Sequence, residues 1–463
     1  RINKADLELA GKLIPEVLDA QGITVKGTAA IDVAFSGLLA KPQDAKIDAT
    51  AVLDDVSVDS KKLQQRASAI SGTITYKAPA LSWKDLSARY QGKTWTSQGS
   101  LQDFVNPVIS AVIKTDDLVA NINAKKQADK VQLTALNGTY FDSTYELIGD
   151  VFLPPGKPAH IDMNGEFKLS LRDLPKMLPA EQAKQMEALK LAGIVKIKTH
   201  VKGVPQAWQD LASVTSIETP AFYMMGYQVA DLNVNAKQKD GKVDPLTVSG
   251  KLYGGDLNAT AAVSLKESGF PFTAGARIEN TSLELLKKDT PLKQQQLSGL
   301  VNMTADLKGE LADIQRLQGT ATLKIADGYL WSLDILSNVL SILSSTFQGG
   351  DVIITDADGT FRIADRKVMT DNMTLRSSTV TLVGEGWVDF DQNIDMNIRP
   401  RLEPNISGGV SPSAIIINPT DGLLNIRVYN TLSKPKFEHN ITAPQMIKKT
   451  IQNTVGSLLK IFE

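Results

Sequence analysis

Between residues 299 and 309 the chain alternates without a break. Val301, Met303, Ala305 and Leu307 fall on one side, and Asn302, Thr304, Asp306 and Lys308 fall on the other. A period of two with one apolar side is the pattern of a β-strand that is wet on one face, and the glycines at each end mark turns where the chain reverses. The phrase occurs twice more with the same glycine spacing. Gly27 to Gly37 carries Ala29, Ile31, Val33 and Phe35 on one face, and Gly193 to Gly203 carries Val195, Ile197, Thr199 and Val201 opposite Lys196, Lys198, His200 and Lys202. A leucine-rich stretch holding a proline (Pro15, Pro179 or Pro291) precedes each copy. Repetition of this kind makes one long body of a chain that would otherwise divide into several globular domains.

A second repeat supports the same reading. Leu86, Tyr90, Trp95, Gly99 and Leu101 recur 50 residues later as Leu136, Tyr140, Tyr145, Gly149 and Val151. Looser copies follow at Val248, Leu252, Leu257, Ala261 and Val263, and at Met373, Leu382, Gly386 and Val388. Alternation continues through Val380, Leu382, Gly384, Gly386, Val388 and Phe390, then Ile394, Met396 and Ile398, and ends at Leu424, Ile426 and Val428. Helical spacing is confined to a few places. It predicts a short helix over residues 5–19, a helical insert over 170–191, a helix over 332–345, and an amphipathic helix over 442–462 carrying Ile447, Ile451, Val455, Leu458 and Phe462.

The chemistry of a catalytic or metal site is missing from the sequence. There is no cysteine, which excludes thiol catalysis, disulfides and zinc-thiolate sites. The histidines His160, His200 and His439 lie far apart and read as solvated. Asp54-Asp55 and Asp116-Asp117 read as turn residues, because neighbours in a strand point to opposite faces and make poor acid-base partners. No P-loop, dinucleotide fingerprint, nucleophile elbow or HExxH occurs. Trp83, Trp95, Trp208, Trp331 and Trp387 read as packing or rim residues. The expectation is therefore a non-enzyme with no catalytic residue, no metal and no cofactor. Fifty basic and 51 acidic residues leave a formal charge of −1, without a concentrated basic surface for nucleic acid. No window has 18 consecutive apolar residues; the chain starts at Arg1, so any signal or anchor of the full-length protein is expected to precede it.

Alternation alone leaves open what covers the apolar faces: a second sheet, closure into a barrel, or nothing. At Gly250 the sequence becomes more specific. Gly-Lys-Leu-Tyr-Gly-Gly-Asp-Leu, residues 250–257, resembles the G-K-L-x-G-G-x-apolar phrase of the AsmA-like proteins of the Gram-negative envelope. The order of proline-bearing helix, glycine-bracketed strand, the segment 317–330 and an apolar helix resembles that family's C-terminal region, as does the segment 428–437 before the final helix. The resemblance is strongest over residues 229–437. It implies a mainly β fold, an elongated, curved antiparallel sheet forming a groove with an apolar floor, with a few short helices and a C-terminal amphipathic helix. It also implies a periplasmic protein, anchored in the inner membrane in its full-length form and associated with phospholipid movement between inner and outer membranes. The partners implied are a phospholipid or other acyl-chain lipid, one or both membranes through the C-terminal helix, and envelope proteins.

The physics of such a floor is simple. Exposing a methylene to water costs about 0.8 kcal/mol, so a 16-carbon chain costs roughly 13 kcal/mol. A continuous apolar floor removes most of that barrier. The expected floor is Ile31, Val33, Phe35, Val195, Ile197, Val201, Val301, Met303, Leu307, Leu323, Ile325, Val380, Leu382, Val388, Phe390, Ile394, Met396 and Ile398. The expected divisions are a β-repeat region over 1–168, a helical insert with a second β-repeat over 169–277, an AsmA-like β region over 278–441 and the final helix over 442–463. A scaffold or outer-membrane-assembly protein of the same fold, moving no lipid, is the alternative. One long body predicts a radius of gyration well above the ~23 Å of a compact chain of this length. Small-angle scattering measures it, and a value near ~23 Å contradicts the expectation.

Overall fold

The computed structural model describes residues 1–8, 23–36, 46–60, 65–330, 338–339, 341, 353–377, 380–402 and 424–441. The chain divides into two compact units, Arg1–Thr219 with Lys237–Asp240, and Pro220–Ala236 with Gly241–Glu463. Strands dominate both. In the first unit they are β1 (Ile2–Asp6), β2 (Ile23–Ser36), β3 (Lys46–Ser60), β4 (Ala67–Lys77), β5 (Ala80–Tyr90), β6 (Lys93–Gln102), β7 (Val108–Lys114), β8 (Leu118–Gln127), β9 (Lys130–Tyr140), β10 (Ser143–Phe152), β11 (His160–Ser170) and β12 (Ile194–Gly203). β13 (Ala212–Met224) and β14 (Tyr227–Lys239) follow. The second unit continues with β15 (Lys242–Leu252), β16 (Gly255–Ser264), β17 (Pro271–Ser282), β18 (Ser298–Glu310), β19 (Asp313–Tyr329), β20 (Asp356–Ala364), β21 (Lys367–Arg376), β22 (Val380–Asp389), β23 (Asn393–Leu402), β24 (Leu424–Thr431) and β25 (Lys434–Ile441).

Pairing follows chain order. From β1 to the first half of β13 each strand pairs antiparallel with the next. From β15 to β25 the same rule holds. Short connections explain this, because an antiparallel neighbour needs only a hairpin whereas a parallel one needs a long crossover. Helices are few. The insert between β11 and β12 holds a 3-10 turn (Leu174–Met177) and α1 (Ala180–Ala188), and β17 is followed by α2 (Leu283–Leu286). The mainly β, antiparallel architecture is therefore as the alternation predicts.

Register keeps one set of side chains on one face. In the first unit Ile31 lies opposite Ala51, Ala51 opposite Ile74, Ile74 opposite Trp83 and Trp83 opposite Gly99. The row continues through Ala111, Ile122, Leu136, Leu147 and Gly165. In the second unit Ile278, Met303, Leu323 and Gly359 form a comparable row. The opposite face carries charge, as in the Lys198–Glu166 pair at 3.3 Å and the Asp162 carboxylate shared by His200 and Lys202 at 2.7 and 3.0 Å.

Several local expectations differ from what is seen. Gly27 and Gly299 lie inside β2 and β18, where the register slips by a residue between Lys26 and Thr28 and between Ser298 and Leu300. They mark bulges, not reversals: φ is +121° at Gly27 and +128° at Gly299, and a Cβ at Gly27 would come within 2.7 Å of Val56 Cα. Of the expected helix over residues 5–19, Ala5 and Asp6 end the strand Ile2–Asp6, Leu7 and Glu8 are helical, and residues 9–19 are outside the described set. Asp54 and Asp55 lie within β3 at a register slip between Leu53 and Val56, not in a turn. Asp116 and Asp117 do occupy the β7–β8 turn. The expected helix over 442–462 and the loop before β24 also fall outside the described residues. Of the expected helix over 332–345, only Asn338, Val339 and Ser341 are described, and they are helical.

Gly386 tests the bulge device. Its φ is +147°, and a Cβ there would lie 2.2 Å from Asp395 O and 2.6 Å from Met396 Cα. Gly386→Val should lower unfolding free energy by about 2–4 kcal/mol. Gly226, with φ +94° and open space around it, should cost only about 1 kcal/mol as Gly226→Ala in the same denaturation experiment.

Candidate functional site

Among the described residues, the apolar side chains of most strands stay partly exposed. In the first unit Ile74, Trp83, Ile122, Leu136, Leu147 and Phe167 all remain partly exposed, and the buried members of their row, Ala111 and Gly165, are small. A sandwich would have closed a second layer over these side chains and removed them from water. The expected floor residues Ile31, Ile197 and Val201 are likewise partly exposed; Val33 and Phe35 are about half exposed, and Val195 is buried. In the second unit Val301, Met303, Leu307, Leu323 and Ile325 are partly exposed around the buried Ala305.

The end of the second unit is different. Val380, Leu382, Ile394, Met396 and Ile398 belong to one closed cluster with Leu297, Leu330, Ile354, Ala357, Leu375, Ile426 and Val428. Val339, on the described helical residues after β19, sits inside it with no exposed surface. Val388 packs against the cluster, and Phe390 lies in the turn after β22, where its N–H donates to Arg366 O at 2.9 Å. The expected floor residues thus fall into two environments, an open face and a packed core.

Within the first unit the open face deepens into a pocket of about 670 Å³. Its walls are Trp95, Leu118, Tyr140, Tyr145, Leu147, Phe167, Leu169 and Ile197, and Met177 of the helical insert closes one side. That volume suits a small ligand or part of a larger one. Two of the aromatics have their polar atoms engaged: the Tyr145 hydroxyl donates to Val119 O at 3.0 Å and the Trp95 ring N–H to Tyr90 O at 3.3 Å. The surface left facing the pocket is therefore predominantly apolar. Lys93, Thr115 and Asp117 form its polar mouth, with Lys93 Nζ 2.6 Å from Asp117 Oδ2 and the Thr115 hydroxyl 2.6 Å from Oδ1. The hydrogen bond from Lys93, helped by that from Thr115, holds the Asp117 carboxyl below the usual range, so the ion pair persists at neutral pH and is lost only as acid protonates Asp117.

The insert is fastened beside this mouth by Asp173. Its buried carboxylate accepts from Lys176 at 2.6 Å and from the Asp142 N–H at 3.3 Å, and Lys176 lies 5.2 Å from the centre of the Phe141 ring. Sequence reasoning missed most of this stretch as floor. Tyr140 and Tyr145 stood out as repeat members, but the register slips add a residue between Leu133 and Leu136 in β9 and between Trp83 and Leu86 in β5, which interrupts the count of two on which the floor was assigned. Among the described residues no group of three or more His, Asp or Glu could hold a metal ion, and no helix is long and apolar enough to cross a membrane.

The AsmA family model matches residues 198–373, from within β12 to within β21. The chain is AsmA-like. Neither a curated protein sequence nor a solved structure matches it. The matched range of this AsmA-like chain includes the 299–309 strand and the Gly250 phrase; the pocket, whose last lining residue is Ile197, lies before it.

Open face and closed cluster should respond differently to charge. Met303→Glu keeps access to water and should cost about 1 kcal/mol, like Thr304→Glu on the polar face. Leu382→Glu places a carboxylate where no surface is exposed and should cost several kcal/mol. Chemical denaturation of the three variants checks this.

Proposed function

We propose that this AsmA-like chain is a non-enzymatic protein of the bacterial envelope whose open apolar face shields acyl chains during phospholipid movement between the inner and outer membranes. The observation that carries the reading is the unbroken cross-strand row from Ile31 to Gly165, most of which stays partly exposed. An uncovered apolar face of this extent is unfavourable in water unless something apolar visits it. A fluid acyl chain suits it, because the face offers Ile, Leu, Met, Val and aromatic carbon with few fixed polar groups to hold one ligand geometry. The shielded set is Ile31, Val33, Phe35, Ile197, Val201, Val301, Met303, Leu307, Leu323 and Ile325, extended by Trp95, Tyr145 and Phe167 of the pocket.

A scaffold reading has one observation in its favour, the closed cluster of β20–β25. We assign that cluster a structural role and keep the lipid role for the open face. The family match is consistent with an envelope protein, and the periplasmic location, the inner-membrane anchor and the membrane and protein partners belong to this proposal.

Solvent extraction of the purified chain followed by mass spectrometry tests it. Phospholipid should co-purify, and Phe167→Glu and Met303→Glu should each lower the bound amount several-fold while circular dichroism stays unchanged. Lipid-free parent protein, or variants that stay folded with undiminished lipid, would overturn the reading.

A further inference from the structure

One edge of the first unit is built from the connections β4–β5, β6–β7, β8–β9, β10–β11 and β12–β13, since alternate hairpins of an antiparallel ladder fall on the same side. Backbone hydrogen bonds tie neighbouring tips together. Asp103 N–H donates to Pro79 O at 3.2 Å, Lys126 N–H to Pro107 O at 2.8 Å and Leu153 N–H to Asp129 O at 2.7 Å. The tips from β4–β5 to β10–β11 are thus a continuous rim, and the β12–β13 tip follows it on the same edge.

The rim exposes apolar side chains where hairpin tips are ordinarily polar. Val105 is 85% exposed, Leu153 46% and Trp208 50%, and Phe104 and Phe152 are exposed beside them. Lysines alternate with them: Lys125 and Lys126 on the β8–β9 hairpin, Lys157 on β10–β11. Asp103, an acidic residue among these tips, is occupied locally, accepting the N–H groups of Val105 and Asn106 at 3.0 and 3.1 Å. The opposite edge, with the insert and the pocket mouth, has a different construction.

We propose that this rim docks on an anionic phospholipid surface, with Val105, Leu153 and Trp208 entering the headgroup boundary and the lysines resting against the phosphates. Aromatic and aliphatic tips flanked by lysine are the residue types that partition to that boundary, the ring or branched carbon going into the acyl margin and the ammonium staying with anionic headgroups. Discrete protrusions spaced by two strands enter a fluid interface readily. A protein partner would have to supply a matching row of sockets. The proposal goes beyond the shielding of acyl chains, since none of these side chains belongs to the proposed floor.

Flotation of the full chain with phosphatidylcholine vesicles, with and without phosphatidylglycerol, tests it. The parent protein should bind the phosphatidylglycerol vesicles and lose that binding at high salt. Val105→Asp combined with Leu153→Asp should reduce binding at least tenfold, and Lys125→Gln with Lys126→Gln and Lys157→Gln should weaken it and flatten its salt dependence. Val214→Asp, an exposed apolar residue on the charged face of β13, should bind like the parent. Thermal unfolding and co-purified lipid should be unchanged in every variant, so failure of the rim is distinguishable from failure of the shielding role. Parent protein that ignores both vesicles, or rim variants that bind like the parent, would overturn the proposal; the latter places the contact elsewhere in the chain.

Discussion

The hydrogen-bonded ladder between consecutive strands is the interaction on which the rest of this protein depends. Where a globular domain draws its stability chiefly from a buried core, most of this apolar face stays in partial contact with water, so backbone pairing and cross-strand side-chain contacts carry a larger share. Sequential pairing makes that arrangement feasible, because most strands find their partner a short hairpin away and the entropy of closing those loops stays small. The cluster around Leu382, Ile426 and Val428 is where the ordinary solution returns, with a helical residue, Val339, brought down on the face to close it.

Bulges reconcile a long ladder with a single apolar face. A slip of one residue would send every later side chain of a strand to the other face. Opposite Gly27, Gly149 and Gly299, each with positive φ, the neighbouring strand carries one extra residue, after which the apolar set resumes on the same side. The same positions bring backbone of the neighbouring strand too close for any Cβ, as the 2.2 Å approach of Asp162 O at Gly149 shows. The glycines that punctuate the repeats are thus both a conformational necessity and a steric one.

The open face and the first-unit edge assign two environments to the same strands. Across the strands runs a surface of apolar carbon with a pocket under the helical insert, its mouth fixed by the Lys93–Asp117 pair. At one end of the strands runs a rim of exposed apolar tips between lysines. The first suits acyl chains removed from a membrane, the second suits the membrane's surface. The buried Asp173 carboxylate links the insert to the β9–β10 turn by accepting the Asp142 N–H, so the pocket's side wall is held by a specific bond and not by loop chance.

The strand content, the antiparallel order and the sidedness of residues such as Val301, Met303 and Leu307 follow from local sequence, because a period of two and short glycine-bearing connections act over neighbouring residues and need no knowledge of the rest of the chain. The helical insert over residues 170–191 was legible for the same reason. Which apolar faces stay open was not legible: Met303 and Leu382 belong to the same alternating pattern, yet one is partly exposed and the other fully enclosed. Enclosure depends on what a distant segment lays over the face, as Val339 does for Leu382, and alternation carries no information about that cover. The pocket and the rim were decided by tertiary structure as well, since pairing sets Tyr145 beside Gly138 and Leu147 beside Leu136 and gathers the Val105, Leu153 and Trp208 tips from separate hairpins onto one edge.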